Sequence, residues 1–126
     1  MGTDEAADPL AREAGARAAV ERVRDDAARR LLGLGVAFDE VVAASAFSNA
    51  DDEHDPEGAT IAFERAQLSA LARQARSDLD EAVAALRRLD DGTYGTCERC
   101  GRAVPRARLE ARPTARRCVA CAGARG

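Results

Sequence analysis

Residues 93–121 read TYGTCERCGRAVPRARLEARPTARRCVAC, and this stretch decides how the rest of the 126-residue chain is read. It carries all four cysteines, Cys97, Cys100, Cys118 and Cys121, in the spacing C-x2-C-x17-C-x2-C. Two residues between paired cysteines let the backbone turn so that both sulfurs face one ion. Two such pairs supply the tetrahedral thiolate set that zinc prefers, at about 2.3 Å per bond. Gly101 follows the second cysteine, where a tight turn gains from a residue without Cβ.

Other readings of the cysteines fit less well. A thioredoxin-like Cys-x-x-Cys needs a βαβ context, which the sequence does not offer. Two disulfides need an oxidising compartment. A catalytic zinc keeps an open position and usually takes a histidine or carboxylate ligand, and the single histidine, His54, lies far upstream. The spacing therefore predicts one structural Zn2+ that holds the last thirty residues together. Such sites supply folding free energy directly, on the order of 10–16 kcal/mol in isolated fingers. No catalytic residues and no organic cofactor site are expected.

Upstream of the cysteines the composition points to helices. The chain contains 30 alanines and only four aromatic residues, Phe38, Phe47, Phe63 and Tyr94. That balance excludes an aromatic-rich β-sandwich, a large enzyme pocket and an aromatic platform for single-stranded nucleic acid. Alanine and arginine are strong helix formers. All 19 basic residues are arginine, which with so much Ala, Gly and Asp reads as a GC-rich genome, so arginine frequency alone says little about function.

Apolar residues recur at Val20, Val23, Ala27, Leu31, Leu34, Phe38 and Val41, and again at Leu68, Leu71, Ala75, Leu79, Ala82, Leu86 and Leu89. Steps of three and four are a helical stripe. Asp8-Pro9 and Asp55-Pro56-Glu57 are helix-start signatures, and Asp90-Asp91-Gly92 is a helix stop. Gly33 and Gly35 predict a kink or break in the first helix. The stretch from Ser48 to Gly58 reads as a loop. The expected organisation is a disordered N-terminus over 1–8, a long antiparallel helical hairpin, or coiled coil, over 9–91 with a tip loop near 48–58, and a four-cysteine zinc lobe over 92–126. The second helix would run about 50 Å at 1.5 Å per residue.

Charge is segregated along the chain. Residues 1–96 carry 11 Arg and 20 acids, a net of −9; residues 97–126 carry 8 Arg and 2 acids, a net of +6; together they give the −3 of the whole. Five acids fall between Asp51 and Glu57, so the hairpin tip is acidic. His54 within it reads as an exposed loop residue. No stretch is apolar enough to span a membrane and no basic-then-apolar leader opens the chain, so a cytoplasmic location is expected.

The quoted stretch closely resembles the DksA/TraR family of bacterial zinc-finger transcription regulators. The matching pieces are Tyr94-Gly95-x-Cys97-Glu98-x-Cys100-Gly101, then Arg108-Leu109-Glu110-Ala111-Arg112-Pro113-Thr114-Ala115, then Cys118-x-x-Cys121. The resemblance implies a protein that binds RNA polymerase directly and inserts its coiled coil into the secondary channel. There an acidic tip, here drawn from Asp51, Asp52, His54, Asp55, Glu57 and Ala59, would change the lifetime of promoter complexes. No bond is made or broken by such a regulator, so the chain is expected not to be an enzyme.

The sequence departs from the family pattern in three places. The family tip is Asp-x-x-Asp-x-Ala, whereas here Asp52-x-x-Asp55 is followed by Pro56 and Glu57; a gapless count from Cys97 aligns His54, Glu57 and Ala59 instead. The positions that correspond to alarmone contacts are Gln74, Glu81 and Ala122, none basic, which implies weak or absent dependence on guanosine tetraphosphate. Only five residues follow Cys121, so the C-terminal helix of longer members is expected to be missing or reduced to a stub. The alternative reading is a zinc-lobe nucleic-acid-binding or scaffold protein that has lost the tip function. Its +6 lobe would supply nonspecific phosphate contacts, while sequence-specific DNA recognition is not expected. A monomer is expected.

Overall fold

The computed structural model describes residues 9–47 and 56–123. It contains α1 (Pro9–Phe47), α2 (Pro56–Asp91), α3 (Arg106–Ala111) and α4 (Val119–Ala122). The described residues form no strand, only an isolated antiparallel bridge between Thr96 and Ala103. No helix is long and apolar enough to cross a membrane. Both long helices begin at a proline, whose missing N–H is among the unpaired donors of a first turn in any case. Residues 56–58, assigned to the loop from sequence, are helical; the remainder of that expected tip loop, other than the helix residues before it, lies outside the described residues.

The chain divides into two units, Asp25–Leu79 and Met1–Arg24 with Asp80–Gly126. Within Asp25–Leu79 the two helices run antiparallel. Arg30 pairs with Asp78 at 2.9 Å, and the Arg65 guanidinium lies 5.7 Å from the Phe38 ring centre, a cation–π distance. Ala27 and Ala75 are fully buried in the seam. Alanine at these points lets the helices approach closely. In the second unit Val20 meets Ala82, Ala85 and Leu89, with Ala16, Val23, Leu86 and Tyr94 packed around them. Arg17 donates to Asp90 at 2.8 Å beside that cluster, and this bond raises the guanidinium pKa further.

Buried residues recur at intervals of seven along each long helix, Val20 and Ala27 on α1 and Ala75, Ala82 and Leu89 on α2. That is the interval which keeps one face of a helix on its partner. Two details differ from the expected stripes. Leu71 is about half exposed (49%), while the neighbouring Ala72, four residues after Leu68, is half-buried. Ala85, absent from the expected stripe, is fully buried.

The predicted break at Gly33 and Gly35 does not occur, since α1 is one helix from Pro9 to Phe47. Both glycines are exposed, and a Cβ on either would meet nothing within 4 Å. They forfeit helix propensity, roughly 1 kcal/mol each, but no packing. The seam on the other face of α1 offsets that loss.

Helix α2 stops where Gly92 takes a left-handed conformation (φ 78°). Thr93 N–H then donates to the Arg88 carbonyl at 2.9 Å, the six-to-one bond of a Schellman cap. This turn fixes the exit direction of the chain two residues before Tyr94.

Candidate metal centre

The first cysteine pair sits on a turn built by backbone bonds. Cys97 N–H donates to the Arg102 carbonyl at 2.8 Å, and Gly101 N–H donates back to the Cys97 carbonyl at 2.9 Å. Closing that turn needs φ 73° at residue 101, which glycine adopts without a Cβ clash. Val104 N–H donates to the Gly95 carbonyl at 2.7 Å and extends the pairing past the Thr96–Ala103 bridge. The second pair opens α4: Cys118 precedes the helix, and Ala122 N–H donates to its carbonyl at 2.9 Å. One bond ties the two halves, Glu98 N–H to the Arg116 carbonyl at 2.9 Å.

These turns bring the four sulfurs together. All four Sγ atoms lie within 4.8 Å of one another, and Cys100 Sγ is 3.8 Å from Cys118 Sγ. A tetrahedron with bonds of about 2.3 Å has edges of about 3.8 Å. No pair is bonded as a disulfide. The donor set is thiolate only, with no histidine and no carboxylate, and four ligands leave a tetrahedral ion no open position. The residues fit one structural zinc ion.

Without metal the four thiols share charge unevenly. Backbone N–H groups of Cys100 and then Cys118 point at Cys97 and lower its pKa to about 6. Cys118 is lowered as well, chiefly by the Cys121 backbone N–H. Cys121 is pushed up to about 12, first by its contact with the Cys118 sulfur and then by burial. Four close sulfurs cannot all hold negative charge unless a cation joins them.

Three arginines of the lobe donate away from the thiolates. Arg108 Nε donates to the Arg117 carbonyl at 2.7 Å, Arg117 Nε to Glu98 at 3.2 Å, and Arg106 Nε to Glu110 at 3.1 Å. Backbone amides supply the donors at sulfur instead. These are fixed by the turns, while arginine side chains would have to be ordered for the purpose.

The lobe's own core is small: Cys97, Val104 and Ala115 are buried. Pro105 opens the short helix α3, as its sequence position implied, and Leu109 on that helix packs 3.5 Å from the position a Cβ on Gly95 would take. After α3, the Arg112–Ala115 turn carries the chain back toward Cys118. Two side chains from the end of α2 and the cap that follows hold that turn. The Tyr94 hydroxyl donates to the Pro113 carbonyl at 2.7 Å, and Arg88 donates to the Thr114 carbonyl at 3.3 Å. Burial raises the Tyr94 pKa, while burial and then the nearby Arg116 lower that of Arg88. Sequence reasoning placed Tyr94 in the family motif but gave it no partner, because a hydrogen bond across 19 residues leaves no periodic trace.

Of the residues expected at the tip, Asp51, Asp52, His54 and Asp55 lie outside the described residues. Glu57 is in the first turn of α2, and Ala59, two residues on, is exposed. Gln74 donates to Asp78 at 3.0 Å, within the helix that also carries Glu81. Ala122 ends α4.

Comparison with known proteins assigns residues 92–125 to the prokaryotic dksA/traR C4-type zinc finger. The chain is 39% identical over 72 residues to General stress protein 16O of Bacillus subtilis (strain 168), which covers 57% of this chain and 44% of that protein. It is 54% identical over 43 residues to the RNA polymerase-binding transcription factor DksA of Caulobacter vibrioides (strain NA1000 / CB15N), covering 34% of this chain and 28% of that one. The aligned region thus spans less than half the length of either curated relative. In fold it is similar to the transcription factor DksA2 from Pseudomonas aeruginosa, with a TM-score of 0.75 and 24% identity over 90% of this chain and 82% of that one.

Proposed function

We propose that the chain acts as a DksA/TraR-type transcription factor and regulates transcription by binding RNA polymerase, a reading supported by the zinc-finger match over residues 92–125 and the similarity to DksA proteins. Cys97, Cys100, Cys118 and Cys121 hold one zinc ion in this reading. The ion's role is to fold the lobe and carries no reaction step. The antiparallel helices bring the acidic turn, with Asp51, Asp52, His54, Asp55, Glu57 and Ala59, into the polymerase secondary channel. There its charge alters the lifetime of open promoter complexes. The protein acts in the cytoplasm as a monomer, makes and breaks no bond, and works with little or no help from guanosine tetraphosphate.

The observation that carries this reading is the coincidence of three features in one chain. They are a four-thiolate lobe of the family type, antiparallel helix pairing upstream of it, and five acids confined to residues 51–57. A slender acidic turn suits a narrow pore lined for nucleotides and magnesium better than a globular domain would.

The test is a binding and open-complex lifetime assay with purified core polymerase and its initiation factor. Wild-type protein is expected to bind and to change the lifetime. Asp52→Asn/Asp55→Asn is expected to bind with similar affinity and leave the lifetime unchanged. Absence of binding by the wild type would remove the proposal and leave the zinc-lobe scaffold reading.

A further inference from the structure

The zinc lobe carries more positive charge than its fold uses. Of its arginines, Arg106 and Arg117 pair with Glu110 and Glu98, the only acids after residue 96, and Arg108 donates to a backbone carbonyl. Arg99, Arg102, Arg112 and Arg116 are exposed and make no side-chain hydrogen bond or ion pair among the described residues. Four thiolates around Zn2+ contribute −2, so the +6 of residues 97–126 falls only to +4. The backbone places three of these arginines around one turn: Arg99 follows Glu98, whose N–H meets the Arg116 carbonyl, and the Arg102 carbonyl accepts from Cys97 N–H. Like charges held close destabilise a fold unless something of opposite sign joins them.

We propose that Arg99, Arg102, Arg112 and Arg116 form a nonspecific contact surface for the phosphate backbone of duplex DNA. The chemistry favours a phosphate backbone over an acidic protein surface. Guanidinium forks match phosphate oxygens bidentately. A protein interface wants an apolar, often aromatic, centre. On this lobe the only large apolar side chain that is strongly exposed is Val119, and the lobe has no aromatic residue after Tyr94. The longer of the two lobe helices has six residues, too short to lay a reading face along a major groove, so the surface positions the protein and does not select sequence.

The surface is independent of polymerase, and so is its test. Zinc-loaded full-length protein is titrated into a labelled 20-base-pair duplex of arbitrary sequence, with fluorescence anisotropy read from about 50 to 200 mM salt. Binding is expected in the nonspecific range, with Kd of about 10⁻⁴ to 10⁻⁶ M, a log–log salt slope of about −3, and no change on scrambling the sequence. Arg99→Gln/Arg102→Gln/Arg112→Gln/Arg116→Gln is expected to lose at least about tenfold in affinity at the lowest salt and most of the slope, while keeping its zinc stoichiometry and helical circular dichroism. Arg22→Gln/Arg29→Gln/Arg73→Gln/Arg76→Gln, at exposed positions of α1 and α2, serves as the charge-matched control and is expected to bind like wild type. No wild-type binding at the lowest salt, or a quadruple variant that binds with an unchanged slope, overturns the proposal. So does a quadruple variant that loses polymerase while retaining DNA, which would make the surface a protein contact. If the variant fails to hold zinc, charge reversal by Arg112→Glu alone, outside the turns at the cysteines, gives the same decision.

Discussion

Replacing Tyr94 by phenylalanine removes one oxygen and tests how the zinc lobe is held to the end of α2. The Tyr94 hydroxyl donates to the Pro113 carbonyl at 2.7 Å, and its ring packs against Val20, Ala82, Ala85 and Leu89. Phenylalanine keeps the ring contacts and leaves the carbonyl without its donor. A buried carbonyl so orphaned costs about 1–3 kcal/mol. This pair is half-buried, so water partly replaces the hydroxyl, and the lower end, about 1 kcal/mol, is expected. In a chain of this size that lowers Tm by about 4 °C. The next carbonyl, Thr114, is held by Arg88 at 3.3 Å, so Tyr94→Phe and Arg88→Met should couple, with a double-mutant term of about 0.5 kcal/mol or more. The assay is thermal unfolding of zinc-saturated protein by circular dichroism. Because Tyr94 is the single tyrosine and the chain has no tryptophan, wild-type tyrosine fluorescence reports this contact directly and should shift when zinc is chelated. A Tm within about 1 °C of wild type, with additive double-mutant behaviour, would refute the latch.

Other expectations follow from the same geometry. Ala82→Leu forces three carbons into the fully buried seam beside Val20 and should cost about 1–3 kcal/mol in chemical denaturation, whereas Leu71→Ala, at a half-exposed position, should cost well under 1 kcal/mol. Arg30→Ala removes a partly exposed ion pair with Asp78 and should change stability by no more than about 1 kcal/mol, an effect that shrinks further in high salt. Zinc affinity should fall as pH falls, because only thiolates bind the ion and Cys121, pushed up to about 12 without metal, must release its proton even at neutral pH. As pH drops through about 6, Cys97 regains a proton too and the dependence steepens by about a further tenfold per pH unit, measurable by competition with a chromophoric chelator.

Much of this fold is legible in the residues. Cys-x2-Cys twice over fixes a four-thiolate lobe because so few geometries satisfy zinc, and the stripes through Val20 and Leu89 fix two helices because burial repeats with the helical period. The readings that failed turn on facing, which a period alone does not give. Gly33 and Gly35 were expected to kink or break α1; no break occurs, and both look outward, where a missing side chain removes no contact. Leu71 fits the three-four stepping but is about half exposed, because a step of four from Leu68 reaches Ala72 and not Leu71. Ala85 was overlooked because the stepping runs from Ala82 by four to Leu86, whereas the residue three after Ala82 lies on the same face and is fully buried. The bonds from Tyr94 and Arg88 to consecutive carbonyls, and the backbone donors at sulfur, arise only once the turns have closed.

The acidic stretch over residues 51–57 was the clearest charge signal in the sequence, and what it touches is the central question. The most direct measurement places a photo-crosslinking amino acid at position 54, in full-length zinc-loaded protein, and maps the crosslinks formed with RNA polymerase. Crosslinks to the walls of the secondary channel near the catalytic magnesium, lost on zinc chelation, are expected. Crosslinks confined to the outer surface of the enzyme, or none from protein that binds it, would rule out insertion of residues 51–57 into the channel.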